Sequence, residues 1–161
     1  MSTTDARACQ YAGAHVIACD LNPDLSIDGI ELSPSAEAIL GMELDVLAPC
    51  AAGGLIDDAL AASLDVQVVV GAANNPLTNR AVAETLARRG ILYVPDFLAN
   101  CGGLIHVAGE WFGDDEHAER ARIDHAMERL DEAIATAAAE GGTPLDVAER
   151  QALDRIAAAR R

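Results

Sequence analysis

The sequence predicts an α/β fold: a mostly parallel sheet with helices on both faces, followed by a C-terminal tail of helices. Three observations carry this expectation. Short apolar runs rich in Val, Ile and Leu recur along the chain, at Ala14–Asp20, Leu44–Pro49, Gln67–Gly71 and Ile91–Val94. Strands buried on both faces read as such continuous runs. Stretches of helical spacing separate most of these runs, the pattern of a parallel sheet. From Asn100 onward only helical stretches remain.

In chain order, Asp5–Ala12 has helical character and stops at Gly13. Ala14–Asp20 is a buried strand closed by an acid, and Leu21-Asn22-Pro23 is a turn. A short strand is expected at Gly29–Leu32. The piece between Asp20 and Gly29 is too short for a crossover helix, because a parallel connection needs about a dozen residues. Ser33-Pro34 opens a short helix with Pro34 at its first position, where a missing N–H costs nothing, and Gly41 ends it. Leu44–Pro49 is a strand, Ile56–Leu64 a helix and Gln67–Gly71 a strand. Asn79–Arg89 is a helix with Thr78 or Asn79 as its N-cap. After the strand Ile91–Val94, Asn100–Phe112 reads as a helix with Leu104, Val107, Ala108 and Trp111 on one apolar face. The acids Asp114-Asp115-Glu116 favour a helix start. Glu119–Glu140 is a long helix with Ile123, Met127, Leu130, Ile134 and Ala137 in register, stopped by Gly141-Gly142. Thr143-Pro144-Leu145-Asp146 is a capping-box-like start for a last helix running to about Arg160.

A chain of 161 residues is expected to form one domain, with the sheet over about 14–95 and the helical tail over about 100–161. That length suffices to bury roughly 70% of the unfolded surface. The 26 acidic residues face 11 basic ones, all Arg, and the net charge of −15 argues against nucleic-acid or anionic-membrane partners. Cys9, Cys19, Cys50 and Cys101 lack C-x-x-C spacing, so free thiols in a reducing cytosol are expected. No apolar run is long enough for a membrane span, and the start M-S-T-T-D-A-R lacks a signal pattern. A cytoplasmic protein is the expectation.

Function concentrates between Gly71 and Gly113. Two Asn-bearing turns each follow a short apolar strand. Asn74 and Asn75 fall at the carboxyl end of one, Asp96 and Asn100 beyond the end of the next. Ligands of open parallel sheets bind at that edge. Asn offers an amide donor and acceptor there, and Gly102-Gly103 let a flat ring approach the backbone. The pieces G-A-A-N-N (71–75), G-I-L-Y-V-P-D-F (90–97) and N-C-G-G-L-I-H-V-A-G-E (100–110) stand in an order and spacing that resemble the cofactor domain of the Glu/Leu/Phe/Val dehydrogenase family, on its leucine, phenylalanine and valine branch. The resemblance extends over nearly the whole chain.

The resemblance implies an incomplete Rossmann-like sheet, NAD as cofactor, and an amino acid or keto acid as the small-molecule partner. It implies an oxidoreductase acting on a CH–NH2 group once a substrate domain completes the unit. Asp20 and Asn22 would take the adenosine ribose; Ala48, Pro49, Cys50 and Ala51 would wall the adenosine half. Ala73, Asn74 and Asn75 would bind at the nicotinamide ribose and Asn100 at the carboxamide. Gly102, Leu104 and Val107 would line the substrate pocket. Read without the family, Asp20 is also an ordinary strand-ending acid that caps the next turn, and Cys50 a small buried side chain.

The sequence departs from the family pattern in two places. It has no G-x-G-x-x-G turn and would begin inside the helix that follows one. Each lost amide–phosphate bond is worth roughly 1.5–3 kcal/mol, so NAD binding is expected to be weak. The family's catalytic Lys and Asp belong to an N-terminal substrate domain. No Lys occurs in these residues, and Arg does not give up its proton near neutrality. Among what remains, His106 and Glu110 lie four apart, with Asp96 near the helix start. They read as a proton-transfer pair or as a plain surface pair. Cys101 reads as a nucleophile at a helix N-terminus or as a tolerated small residue. Glu84, Arg88 and Arg89 read as solvated helix surface. No metal-binding motif occurs. Two alternatives stand beside the dehydrogenase reading: an enzyme on the same scaffold without hydride transfer, and a non-catalytic binding or assembly domain. The edge left open where a first strand would pair predicts a homo-oligomer, buried there and at the Ala-rich tail, or a partner chain that supplies the missing domain.

Overall fold

The structure is a computed structural model that describes residues 3–160 except residue 23. Pro23 of the expected turn and the first two residues of the expected leaderless start lie outside the described residues. The elements are α1 (Thr3–Tyr11), β1 (Ile17–Ala18), β2 (Glu31–Leu32), α2 (Ala36–Leu40), β3 (Glu43–Leu47), α3 (Asp58–Ser63), β4 (Asp65–Val69), α4 (Ala81–Arg88), β5 (Leu92–Tyr93), α5 (Asp96–Ala99), α6 (Gly102–Phe112), α7 (Glu116–Glu140) and α8 (Pro144–Ala159). Every strand pair among the described residues is parallel, as expected, and the C-terminal tail is helical.

The strands divide into two sheets, β1-β2 and β3-β4-β5. The first is two residues deep, with Ile17 opposite Glu31. No helix occurs among the described residues between its strands, as the short connection requires. That connection instead folds Ile27 and Ile30 onto Ala6 of α1, making a small core of its own. In the second sheet β4 is central: Val66 pairs with Leu44, and Val69 with both Leu47 and Tyr93. Val69, Leu64 and Ile56 are fully buried, together with Val82 and Leu86 of α4. Burying each such side chain stabilises the fold by about 1.5–3 kcal/mol before entropy is charged against it.

Several element starts differ from the sequence expectation, each for a local hydrogen-bonding reason. Pro34 is not the first residue of α2. Ser35 is extended at φ −157 and its hydroxyl accepts from Ala38 N, so the helix begins after it. Ile56 is not helical, because it bridges to Leu77: its N–H donates to Pro76 O at 2.9 Å and its carbonyl accepts from Thr78 N at 2.9 Å. Asp57 then caps α3 through Leu60 N. Arg80 occupies the N-cap position of α4, while Asn79 Oδ1 still accepts from Ala81 N at 2.9 Å. The stretch expected as one helix from Asn100 is two: Asn100 ends the short α5 and Cys101 begins α6.

The tail follows its sequence signals. Asp115 caps α7 through Ala118 N, and Gly141 ends it in the left-handed region at φ 76. Thr143 and Asp146 form a reciprocal capping box at α8. Ala133 and Ala137 of α7 are small enough to bury Val147 of α8 closely. Leu145 enters the core of the larger sheet, and Arg80 of the α4 cap reaches both Asp146 and Glu149 of α8. The tail is thus anchored where the sheet's helices begin. No helix among the described residues is long and apolar enough to cross a membrane.

Candidate functional site

The site is built at the carboxyl ends of β4 and β5. After β4 the chain crosses very close to the end of β3. A Cβ on Gly71 would stand 2.0 Å from Pro49 O, so only glycine permits the approach. Ala73 N then donates to Pro49 O at 3.0 Å. Asn74 and Asn75 follow, with Asn75 in the left-handed region at φ 50. Asn tolerates that conformation better than most residues. Gly53 leaves room for the turn, since a Cβ there would lie 2.6 Å from Asn74 O, and Gly54 N donates to Asn75 O at 2.8 Å.

From β5 comes the second wall. Tyr93 is buried, and its hydroxyl donates to Asp96 Oδ1 at 3.2 Å. Burial first, and then the Asp96 charge, push the phenol up to about 12, so it stays a proton donor. The other Asp96 oxygen accepts from Asn75 N at 2.8 Å. One turn later, Asn100 Nδ2 donates to Asn74 Oδ1 at 2.8 Å and to Ala72 O at 3.3 Å. Both Asn100 amide protons are therefore used. Asn100 Oδ1 and Asn74 Nδ2 have no protein partner among the described residues, leaving one acceptor and one donor of the pair unused.

These two amides border a cleft of about 650 Å³ lined by Ala72, Asn74, Phe97, Ala99, Asn100, Cys101, Gly102, Gly103 and Leu104. That is the size of a small-molecule site. No lining side chain carries a charge. The space above Gly102 and Gly103 is open: a Cβ on either would meet nothing within 4 Å. The lining suits a flat, neutral, amide-bearing group better than a phosphate.

Of the residues singled out from sequence, Asn74, Asn100, Cys101, Gly102 and Leu104 come together on this cleft. Ala73 and Pro49 are buried and hydrogen-bonded behind it; Ala48, Cys50 and Ala51 flank Pro49 on the loop after β3. Asn75 turns its backbone toward Asp96. Asp20 and Asn22 stand at the end of β1 in the other sheet, both exposed and outside the cleft lining. Asp20 Oδ1 accepts from Asn22 N at 2.9 Å, and Asn22 Oδ1 from Asp24 N. Val107 does not line this cleft. It lines a second hollow of about 550 Å³ with Ala108, Glu110, Trp111 and Phe112, and Leu104 stands between the two. The predicted apolar face of α6 exists, but it is open to solvent, with Trp111 85% exposed.

The His106–Glu110 pair is present on the exposed face of α6, and His106 has a second, nearer partner. His106 Nδ1 lies 3.2 Å from Glu119 Oε2 of α7, whereas Nε2 is 3.9 Å from Glu110. The hydrogen bond that the His106 ring donates to Glu119, then the charges of Glu119 and Glu110, raise the His106 pKa. Gly109 makes this possible, because a Cβ there would lie 2.7 Å from Glu119 Oε1. Asp96 takes no part, since both its oxygens serve Tyr93 and Asn75. The Cys101 sulfur lies 3.2 Å from Leu98 O, to which the thiol donates. Arg89 is not merely solvated: its Nη1 donates to Ala61 O at 2.8 Å and Leu64 O at 2.6 Å, closing the carbonyl end of α3. Glu84 and Arg88 do lie on the surface. The four cysteines are free. Among the described residues no group of three His, Cys, Asp or Glu side chains is placed to hold a metal. Sequence reasoning missed Tyr93 and the tie from Asp96 to Asn75. The available signal was an acid directly after Pro95, at the end of a strand.

Comparison with known proteins gives a consistent result. The sequence pattern of the glutamate/leucine/phenylalanine/valine dehydrogenase family matches residues 10–161. A valine dehydrogenase of Streptomyces coelicolor is 38% identical over 155 residues, covering 92% of this chain and 43% of that protein. The crystal structure of L-tryptophan dehydrogenase from Nostoc punctiforme superposes with a TM-score of 0.88 at 31% identity, covering 97% of this chain and 49% of that one. The hetero-hexameric glutamate dehydrogenase of Thermus thermophilus, in its Leu-bound form, superposes with a TM-score of 0.61 at 27% identity, covering 96% and 36%. The chain spans less than half the length of the curated relatives it matches.

Proposed function

Because the chain belongs to the glutamate/leucine/phenylalanine/valine dehydrogenase family, we propose that its 161 residues act as one domain, the nicotinamide-dinucleotide-binding part of an amino-acid dehydrogenase. The observation that supports this most directly is the amide pair on the cleft. A nicotinamide carboxamide would donate to Asn100 Oδ1 and accept from Asn74 Nδ2, the two positions the pair leaves open. The uncharged lining and the space above Gly102 and Gly103 suit the flat face of the ring. When bound, such a ring accepts a hydride from a carbon bearing an amine. The residues of this chain bind and orient. Asn74, Asn75 and Ala73 hold the nicotinamide end; Asp20 and Asn22 take the adenosine ribose hydroxyls; Ala48, Pro49, Cys50 and Ala51 wall the adenosine half. Gly102, Leu104 and Val107 border the place of an aliphatic or aromatic amino acid, or of its keto acid.

The fit is to the nicotinamide end. These residues contain no G-x-G-x-x-G turn and no Lys. On this reading the pyrophosphate contacts, and the amine and acid that run the chemistry, come from another segment of the same or a partner chain. We place the protein in the cytoplasm and in an oligomer, in keeping with the hexameric relative. Calorimetric titration with NADH tests the reading. Binding is expected at millimolar concentration, and Asn100→Ala should weaken it about tenfold, the loss of one or two hydrogen bonds. The absence of any NADH binding at millimolar concentration would overturn it.

A further inference from the structure

Asp96 does not line the cleft, yet it bonds to both segments that carry the amide pair, the Asn74–Asn75 turn through Asn75 and the end of α5 through Asn100. Its carboxylate accepts from Asn75 N at 2.8 Å, and its backbone carbonyl accepts from Asn100 N at 2.8 Å. It is the first residue of α5, and Asn100 is the residue that ends α5. Asp96 thus ties the turn after β4 to the end of α5, alongside the bonds that Asn100 itself makes to Ala72 and Asn74. Asn75 sits in the left-handed region, which non-glycine residues occupy only when their surroundings hold them there. Asp96 supplies that hold from one side and Gly54 N from the other. Tyr93 fixes the remaining carboxylate oxygen, and as a buried phenol pushed up to about 12 it keeps donating across the neutral range.

We propose that Asp96 is a positioning residue: by pinning the Asn74–Asn75 turn to α5 it sets the Asn74–Asn100 amide pair, and through that pair the affinity for a nicotinamide ring. The nicotinamide part of this inference rests on the proposed function above; the positioning part does not. A charge-assisted bond to a backbone amide is among the stronger hydrogen bonds. Its loss frees the turn to relax from the left-handed region, and the Asn74 side chain then leaves Asn100. Asp96→Asn keeps an acceptor oxygen of the same shape, though uncharged, so it retains part of the effect.

The test uses the full chain and two solution NMR readouts. Without ligand, the side-chain amide resonances of Asn74 and Asn100 are compared in wild type, Asp96→Ala and Asp96→Asn. With nicotinamide mononucleotide, dissociation constants are read from the same resonances. Asp96→Ala is expected to shift both amides and to weaken nicotinamide mononucleotide binding about tenfold or more, with Asp96→Asn between it and wild type. Thr143→Ala, which costs stability away from the cleft, should bind as wild type does. If Asp96→Ala does not fold, Tyr93→Phe replaces it, with a smaller change in the same direction. Unmoved Asn74 and Asn100 amides in the Asp96 variant overturn the inference, as does equal affinity in Asp96→Ala and wild type. Should wild type itself fail to bind the mononucleotide, the proposed function falls, and the ligand-free spectra alone decide the role of Asp96.

Discussion

Asn75 keeps a left-handed backbone at φ 50 because its N–H and its carbonyl are both engaged, by Asp96 and by Gly54. A Cβ in that region collides with the following carbonyl, at about 1–2 kcal/mol for most residues. Asn75→Ala should therefore lower stability by about 1 kcal/mol, the small difference between Asn and Ala in this conformation. Asn75→Gly should lose nothing or gain slightly. Urea unfolding of the three proteins measures both, and equal destabilisation by Ala and Gly would show that backbone strain is not the cause. The Asn74 and Asn100 positions on the cleft were legible in the sequence, because both follow short apolar strands at the edge where a parallel sheet binds ligands. Glu119 as the nearer partner of His106 was not. It lies 13 residues away across a helix break, and no spacing rule within one helix reaches it. That Leu104 and Val107 share a hollow beside the cleft was not legible for a similar reason: helical periodicity fixes which side chains share a face, but not which hollow that face borders.

At the level of single helices, legibility followed the capping chemistry. Thr143-Pro144-Leu145-Asp146 announced its capping box, and the structure forms it, with Thr143 Oγ1 accepting from Asp146 N at 3.1 Å. Ser35 displaced Pro34 because a hydroxyl able to satisfy Ala38 N outcompetes a residue that merely tolerates lacking a donor. What the sequence withheld was the second use of Asp146. Its carboxylate also meets Arg80 across the fold. The hydrogen bond from the Thr143 side chain lowers its pKa first; burial opposes that, and the Thr143 backbone N–H and Arg80 lower it further. A carboxyl depressed in the folded state contributes stability above its unfolded value of 3.8 and loses it as pH falls through the lower folded value. Thr143→Ala should cost about 1 kcal/mol at neutral pH. The difference from wild type should shrink as the solution is acidified below about pH 4, where Asp146 no longer gains from folding. Thermal unfolding of both proteins across that range checks the sign. A difference that grows on acidification would mean that Thr143 stabilises the neutral carboxyl instead.

Charge acts on the molecule as a whole. Its 26 acidic side chains outnumber the 11 Arg, so even if every Arg found a partner most carboxylates would face other carboxylates. Among the described residues, the Arg–carboxylate pairs Arg120 with Asp124, Arg150 with Glu140, and Arg80 with Asp146 and Glu149 are on the surface, and Arg122 meets the half-buried Asp114. Exposed pairs of this kind are worth about 0–1 kcal/mol each, and salt weakens them. Salt also weakens the repulsion among the remaining carboxylates, which is spread over the whole surface and acts beyond contact distance. At about 0.1 M ionic strength the screening length is about 10 Å, so charges farther apart than that are largely screened. Compaction brings those charges together, so the repulsion is larger in the folded state than in the unfolded one. The two effects have opposite signs, and the excess of carboxylates decides between them. The melting temperature should rise as sodium chloride is added from low concentration to about 0.15 M, with most of the gain at the low end where screening changes fastest. Sodium chloride in that range separates screening from the surface exclusion by which sulfate stabilises proteins generally. A melting temperature that falls over the same range would mean that the few Arg pairs outweigh the unpaired carboxylates.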